Sequence, residues 1–271
     1  MARRTRLDAE LVRRGLARSR EHASQLVTAG RVTVRGTTAT KPATAVETDA
    51  PVLVRADTED PGWASRGAHK LLGALAAFEP AGLAVAGRTC LDAGASTGGF
   101  TDVLLRRGAA TVIAADVGRG LLDWRLRTDD RVVVLDRTNV RGLAPEDVGG
   151  PVDLVVADLS FISLSLVLPA LLACTRTDGD LAPMVKPQFE VGRDRLGSGG
   201  VVRDPELRAD TVLGVLTAAG PLGLRAHGVV ASPLPGPSGN VEYFVWLRRG
   251  EPLPPDEAAA LVHTAVREGP Q

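Results

Sequence analysis

The chain is poor in lysine. Of its 32 lysine and arginine residues, only Lys41, Lys70 and Lys186 are lysine. Arginine thus supplies positive charge wherever charge alone suffices. A lysine amine can release its proton and act as a base, which a guanidinium in a protein cannot. The three exceptions are candidates for chemistry, with chance survival under a compositional bias as the blander account. Cysteine is scarcer still: Cys90 and Cys174 have no metal-type spacing and read as reduced core thiols, not as a disulfide. The four histidines, His22, His69, His227 and His263, form no ligand cluster, so no metal is expected. No stretch approaches the ~18 uninterrupted apolar residues of a membrane span, and the N-terminus lacks a signal-peptide core. A cytoplasmic location is expected. Zero formal net charge and 44% hydrophobic residues exclude a disordered or merely solvating chain.

That neutral balance hides an asymmetry. Residues 1–46 carry ten basic side chains against three acidic ones, so the remainder is correspondingly acidic. Clustered positive charge of this kind fits contact with a polyanion, although a solvated basic face would look the same. With 271 residues against ~150 for an average domain, two domains are expected. RLDAELVRRGL places Leu7, Leu11 and Leu16 near helical spacing with Gly15 as a stop, and SREHASQLVTAG starts a second helix at a Ser19 cap. RVTVRGTTATKPATAV then alternates as strands around a turn at Gly36. The series RLD, Gly15, Ser19-Arg20, LVTAGRVTVRG and Lys41-Pro42 resembles the S4 RNA-binding domain over about forty residues. The resemblance implies an α+β module that binds structured RNA through Arg3, Arg4, Arg6, Arg14, Arg18, Ser19, Arg20, Arg31 and Lys41. Its expected extent is residues 1–58, with a Pro-Gly linker at 59–65 in which Trp63 packs between domains.

From residue 66 to 271, apolar strands alternate with helices. TCLDAG, TVIAADVG, RVVVLDR, VDLVVADLS and DLAPMVK read as strands, and residues 162–174 and 204–220 among others as helices. This pattern predicts a Rossmann-like α/β fold with a mostly parallel sheet covered on both faces, whose ligands bind at the strands' carboxyl ends. The turn LDAGASTGGF lies where a nucleotide-type ligand belongs and offers Asp92, Gly94, Ala95, Ser96, Gly98, Gly99 and Phe100. It departs from GxGxxG, because Ala95-Ser96 stands where a glycine should admit a pyrophosphate. Asp116 and Asp136 end the next two strands and suit a ribose diol. A ribose acceptor without a phosphate cradle favours S-adenosylmethionine over a dinucleotide.

Chemistry belongs where the later strands end, at Asp158 and Lys186, with Lys70 arriving from the preceding helix and Glu242 from the last strand. SRGAHKL, LDAGASTGGF, VADLSFISL, VKPQFEVG and SPLPGPSGNVEYF, with the S4-like segment, resemble the TlyA family of ribosomal-RNA cytidine 2'-O-methyltransferases, once called hemolysins. That family's catalytic domain is similar to FtsJ-type RNA 2'-O-methyltransferases with a Lys-Asp-Lys-Glu tetrad. The resemblance carries over to Lys70, Asp158, Lys186 and Glu242, with Asp158 also facing the cofactor. It implies S-adenosylmethionine as cofactor and ribosomal subunits as partners, and it leans toward both 16S and 23S RNA as targets. A nucleobase methyltransferase would instead want an Asn/Asp-Pro-Pro-Tyr/Phe strand end, where this chain has DLSF. A non-catalytic RNA-binding protein would need no tetrad. A membrane-lytic protein would need an amphipathic apolar helix.

Overall fold

A computed structural model describes residues 4–17, 20–55, 62–236 and 238–270. The chain forms two compact units, residues 1–62 and 63–271. The first unit comprises β1 (Arg4–Arg6), α1 (Leu7–Arg13), α2 (Arg20–Thr28), β2 (Val32–Val34), β3 (Thr37–Thr38), β4 (Ala45–Glu47) and β5 (Val52–Val54). Leu7, Leu11, Leu26, Val27, Val32 and Val46 close its core. β1 pairs with β4, a strand pair that sequence periodicity did not anticipate, and β2 lies between β3 and β5. The β2–β3 hairpin turns through Arg35 and Gly36 at φ 50° and 80°, both left-handed, which matches the right-handed twist of the flanking strands. The expected Ser19 cap lies outside the described residues.

The second unit runs α3 (Gly67–Phe78), β6 (Thr89–Ala93), α4 (Gly99–Arg106), β7 (Thr111–Asp116), α5 (Trp124–Arg127), β8 (Val132–Asp136), β9 (Val152–Ala157), α6 (Leu168–Ala173), β10 (Thr175–Val185), α7 (Pro187–Glu190), α8 (Pro205–Ala219), β11 (Leu224–Ala231), β12 (Tyr243–Arg249) and α9 (Pro255–Glu268). Seven strands form one sheet in the order β11-β12-β10-β9-β6-β7-β8. β6 to β10 are parallel, and β12 runs antiparallel to both neighbours. The buried faces of α3 and α4 cover one side, and those of α6, α8 and α9 cover the other. Apolar runs such as VDLVVA are buried on both faces, as a doubly covered sheet requires. The chain leaves β6 toward β7 and β8, then returns to place β9 on the other side of β6. That reversal makes the β6/β9 carboxyl ends the switch point, where open α/β sheets form their ligand crevice.

One local expectation changes. Residues 162–174 form a 3-10 turn at Leu164–Leu166 followed by α6, not one helix. Pro169 lacks an N–H and fits only the first turn of a helix, so it sets where α6 begins. Trp63 lies against the core of the second unit with the Arg106 guanidinium 4.2 Å above its ring. Cys90 and Cys174 are buried free thiols, and burial pushes them up to about 12 and about 11.

Far from the crevice, the fully buried Asp180 gathers Trp246 Nε1 at 2.6 Å, Arg248 Nε at 2.5 Å and Arg88. Burial pushes its carboxyl up, but the hydrogen bonds from Arg248, Trp246 and Arg88 outweigh it and hold the group below the usual range. Asp180→Ala leaves these donors unpartnered and should cost about 3–5 kcal/mol at pH 7, read by urea unfolding. Because the folded value is depressed, the contribution is present above the unfolded carboxyl pKa and lost as pH falls through the folded one. The deficit should therefore shrink below about pH 4.

Candidate functional site

The crevice begins at the turn after β6. Gly94, at φ 86°, lies so close to β9 that a Cβ there would come 2.6 Å from the Asp158 carbonyl oxygen. Asp158 N–H in turn donates to Ala93 O at 3.0 Å, so the β6 and β9 ends are joined by backbone alone. Ser96 is held left-handed at φ 48°, and its N–H donates to Asp116 Oδ2 at 2.8 Å. Asp116 Oδ1 accepts from Gly118 N–H at 2.7 Å, and Asp136 Oδ1 from Gly120 N–H at 3.1 Å. Asp136 Oδ2 is also met by the Arg127 guanidinium at 3.3 Å, so its remaining acceptor capacity lies chiefly on Oδ1, whereas each oxygen of Asp116 accepts one backbone N–H. Gly94 to Ser96, Asp116 and Asp136 thus frame the carboxyl ends of three adjacent strands with acceptors suited to ribose hydroxyls. The other predicted residues of this segment lie deeper. Asp92 is fully buried, accepting from Thr101 Oγ1 at 2.7 Å. Phe100 packs on Phe244 with ring centroids 5.8 Å apart, and Gly99 meets α3. Ala95 is buried, and Gly98 turns left-handed to start α4.

The four predicted reactive side chains converge at the same end of the sheet. Asp158 and Lys186 directly follow β9 and β10. Glu242 directly precedes β12, whose antiparallel register sets Tyr243 opposite Val185 and so brings a strand start to the carboxyl ends of its neighbours. Lys70 projects from the first turns of α3. Lys186 Nζ lies 2.5 Å from Asp158 Oδ1, an ion pair whose angle falls outside hydrogen-bond geometry, and 3.1 Å from Ser160 Oγ. Lys70 Nζ lies 2.5 Å from Glu242 Oε2 and 3.9 Å from Asp158 Oδ2. Charges therefore alternate along a chain Lys186, Asp158, Lys70, Glu242. All four are largely shielded: the Lys186, Lys70 and Glu242 side chains are 9%, 7% and 1% exposed, and Asp158, at 23%, is the most open. Gly236 makes room for the inner end, since a Cβ there would meet Glu242 Oε1 at 2.8 Å. Among the described residues, no group of three or more His, Cys, Asp or Glu could hold a metal ion.

Sequence reading missed several neighbours on the two loops that carry Asp158 and Lys186. Phe161 is 90% exposed at φ 62°, and its ring centroid is 5.1 Å from that of Phe189. Gln188 Nε2 reaches Glu242 Oε1 at 3.4 Å. Glu190 accepts from Ser163 Oγ at 2.5 Å and Leu164 N–H at 2.8 Å, while burial pushes its carboxyl upward. Their segments, DLSFIS and KPQFE, stand out in the sequence, but only the fold sets them side by side.

Comparison with known proteins shows the family. The sequence profile of the FtsJ-like methyltransferase family matches residues 63–249, and that of the S4 domain residues 5–52. The chain belongs to the FtsJ-like methyltransferase family. The 16S/23S rRNA (cytidine-2'-O)-methyltransferase TlyA of Mycobacterium tuberculosis is 62% identical over 272 residues, with both chains covered completely. A solved structure from Streptococcus thermophilus, described as a hemolysin, is 35% identical with TM-score 0.76 and covers 99% of this chain and 98% of its own. One from Lactococcus lactis, likewise described, is 40% identical with TM-score 0.68 and covers 74% of this chain and 98% of its own.

In this methyltransferase the N-terminal basic residues have uneven freedom. Arg6 and Arg20 pair with the buried Asp8 at 2.8 and 3.1 Å. Arg14 is drawn inward, reaching Glu10 at 2.6 Å, Ala50 O at 2.7 Å and Thr48 O at 2.9 Å, so it fastens α1 to the turn before β5. Arg4 lies 3.5 Å from Glu47, Arg31 donates to Arg55 O at 3.1 Å, and Lys41 is exposed. Arg3, Arg18 and Ser19 lie outside the described residues.

Burial pushes Asp92 up to about 7, and the charges of Asp158 and Asp116 add to the rise against the Thr101 hydrogen bond. With the folded value above the unfolded ~3.9, the native state holds a proton that the unfolded chain has released. Stability should fall as pH rises from about 4 to 7 on this account. Asp92→Asn keeps an acceptor for Thr101 and removes the titration. Melting temperatures measured against pH should match the parent near pH 4 and exceed it near pH 8.

Proposed function

We propose that this protein transfers a methyl group from S-adenosylmethionine to the ribose 2'-hydroxyl of a cytidine in ribosomal RNA, in both 16S and 23S RNA. The observation that carries the reading is the alternating Lys186, Asp158, Lys70, Glu242 chain at the β6/β9 crevice, beside carboxylates that suit a ribose diol. The full-length similarity to a relative named for this reaction on both RNAs supports the target. Asp116 and Asp136 would hold the adenosyl ribose, with the backbone of Gly94 to Ser96 beside it. S-adenosylmethionine, when bound, supplies a methyl group on a sulfonium. The chain itself must bring up the 2'-hydroxyl, a poor nucleophile, in line with that methyl and manage its proton.

Lys186 is the group for that task. It pairs with Asp158, the most exposed of the four charges, and its amine either accepts the hydroxyl proton or stabilises the developing alkoxide. Asp158 orients the amine. Lys70, paired with the buried Glu242, balances Asp158 at its other oxygen. Phe161 offers an exposed ring at the mouth on which a base can stack. The N-terminal unit would anchor folded RNA through its exposed basic side chains. The domain limits proposed are 1–58, 59–65 and 66–271. The reaction belongs in the cytoplasm, where ribosomal subunits are assembled. Against a lytic role, no helix among the described residues is long and apolar enough to cross a membrane.

Lys186→Arg retains the positive charge and removes the titratable amine. Methyl transfer should fall by more than about a hundredfold while S-adenosylmethionine binding, read by calorimetry, stays unchanged. Substantial activity in that variant would overturn the assignment of Lys186. Nucleotide-resolution mapping of ribose methylation after incubation with unmodified 30S and 50S subunits tests the target. Label on a base instead of a ribose would favour the nucleobase reading, and label on neither subunit would refute a ribosomal substrate.

A further inference from the structure

The two loops that carry the reactive pair are joined mainly by side chains. None of the five residues 159–163, between Asp158 and the turn at Leu164, donates a backbone hydrogen bond among the described residues. Leu159 and Ile162 pack partly buried against the core, while Phe161 between them is left-handed at φ 62° with its ring 90% exposed. A bulky side chain holds that backbone only where its surroundings impose it. From the facing loop come three clasps: Lys186 to Ser160 at 3.1 Å, Phe189 against Phe161 at 5.1 Å, and Glu190 to both Ser163 Oγ and Leu164 N–H at 2.5 and 2.8 Å. The Glu190 clasp alone takes a backbone donor, the Leu164 N–H at the start of the 3-10 turn, and so fixes where the loop ends.

We infer that Glu190 is a positioning residue for the transfer step: by tying the Ser163–Leu164 turn to the Lys186 loop, it keeps Asp158, Ser160 and Phe161 in register with the Lys186 amine. The inference rests on the proposed methyl transfer. Glu190 touches neither substrate nor cofactor in this account. It acts through the alignment of Lys186 with Asp158 and Ser160, and small misalignments of reacting groups cost large rate factors. The turn after β6, Asp116 and Asp136, which frame the cofactor side, lie on other elements, and Asp158, which also faces that side, is held to it by its own N–H on Ala93 O without Glu190. The effect should therefore fall on turnover and on RNA affinity and leave cofactor affinity alone.

The conservative variant makes the test specific. In Glu190→Gln the amide oxygen can accept from Leu164 N–H and the amide nitrogen can donate to Ser163 Oγ. The Ser163 proton is then free to turn to Ser165 Oγ, which lies 2.8 Å away and can take either role. Geometry is kept and charge is removed. On the subunit that the wild-type protein methylates, Glu190→Ala should lower kcat at least about tenfold with S-adenosylmethionine Kd unchanged, and Glu190→Gln should recover to within about threefold. Ser163→Ala, which removes one of the two hydrogen bonds, should give an intermediate kcat and keeps the test open if Glu190→Ala fails to fold. A folded Glu190→Ala with kcat within about twofold of wild type would overturn the inference. So would a Glu190→Gln as slow as Glu190→Ala, or a loss that follows weakened cofactor binding. Wild-type protein that transfers no methyl to ribose would instead overturn the functional reading, and this inference with it.

Discussion

Four charged side chains remain buried or nearly so at the end of the sheet because they alternate in sign. An isolated ammonium or carboxylate at such depth would cost many kilocalories per mole, and only close pairing offsets that cost. Asp158 is the hinge of the arrangement, 2.5 Å from Lys186 and 3.9 Å from Lys70, while Glu242 neutralises Lys70 at 2.5 Å. Removing any one member strands a partner, so the site is held as a unit. Within the set Asp158 alone is appreciably exposed, while both amines are shielded to a similar degree and Glu242 is sealed.

The sheet exists in the form it does to bring those charges together. A parallel strand delivers its last residue to the ligand end, which is how Asp158 and Lys186 arrive. Glu242 precedes its strand, so it could reach that end only if β12 ran the other way, and β12 does. Close backbone approach completes the assembly at Gly94 against Asp158 and at Gly236 against Glu242. The loops that follow β9 and β10 then need fastening, since their backbones form no ladder. Glu190, Phe189 and Lys186 supply it from one side.

Much of this was legible in order along the chain. Periodicity located the strands that end in Asp116, Asp136, Asp158 and Lys186, because doubly covered parallel strands read as continuous apolar runs. Turn chemistry found LDAGASTGGF, and a scarcity of lysine singled out Lys70 and Lys186. What was not legible depended on contacts between distant segments. The inward pull of Glu10 on Arg14, the burial of Asp92 and Phe100 beneath the turn, and the packing of Trp63 under Arg106 all follow from neighbours that no local window contains. The division of residues 162–174 at Pro169 was a local signal outweighed by the apolar run around it.

By itself, then, the sequence determined the residue types available for chemistry and the order in which strands and turns present them, since both depend on short-range pattern and composition. The tertiary structure decided which of those residues meet, how deeply each lies, and which are occupied in holding the fold. Burial and pairing are sums over partners far apart in the chain. For that reason the rarity of lysine could mark Lys70 and Lys186, but only the folded sheet could set the two amines against the two oxygens of Asp158.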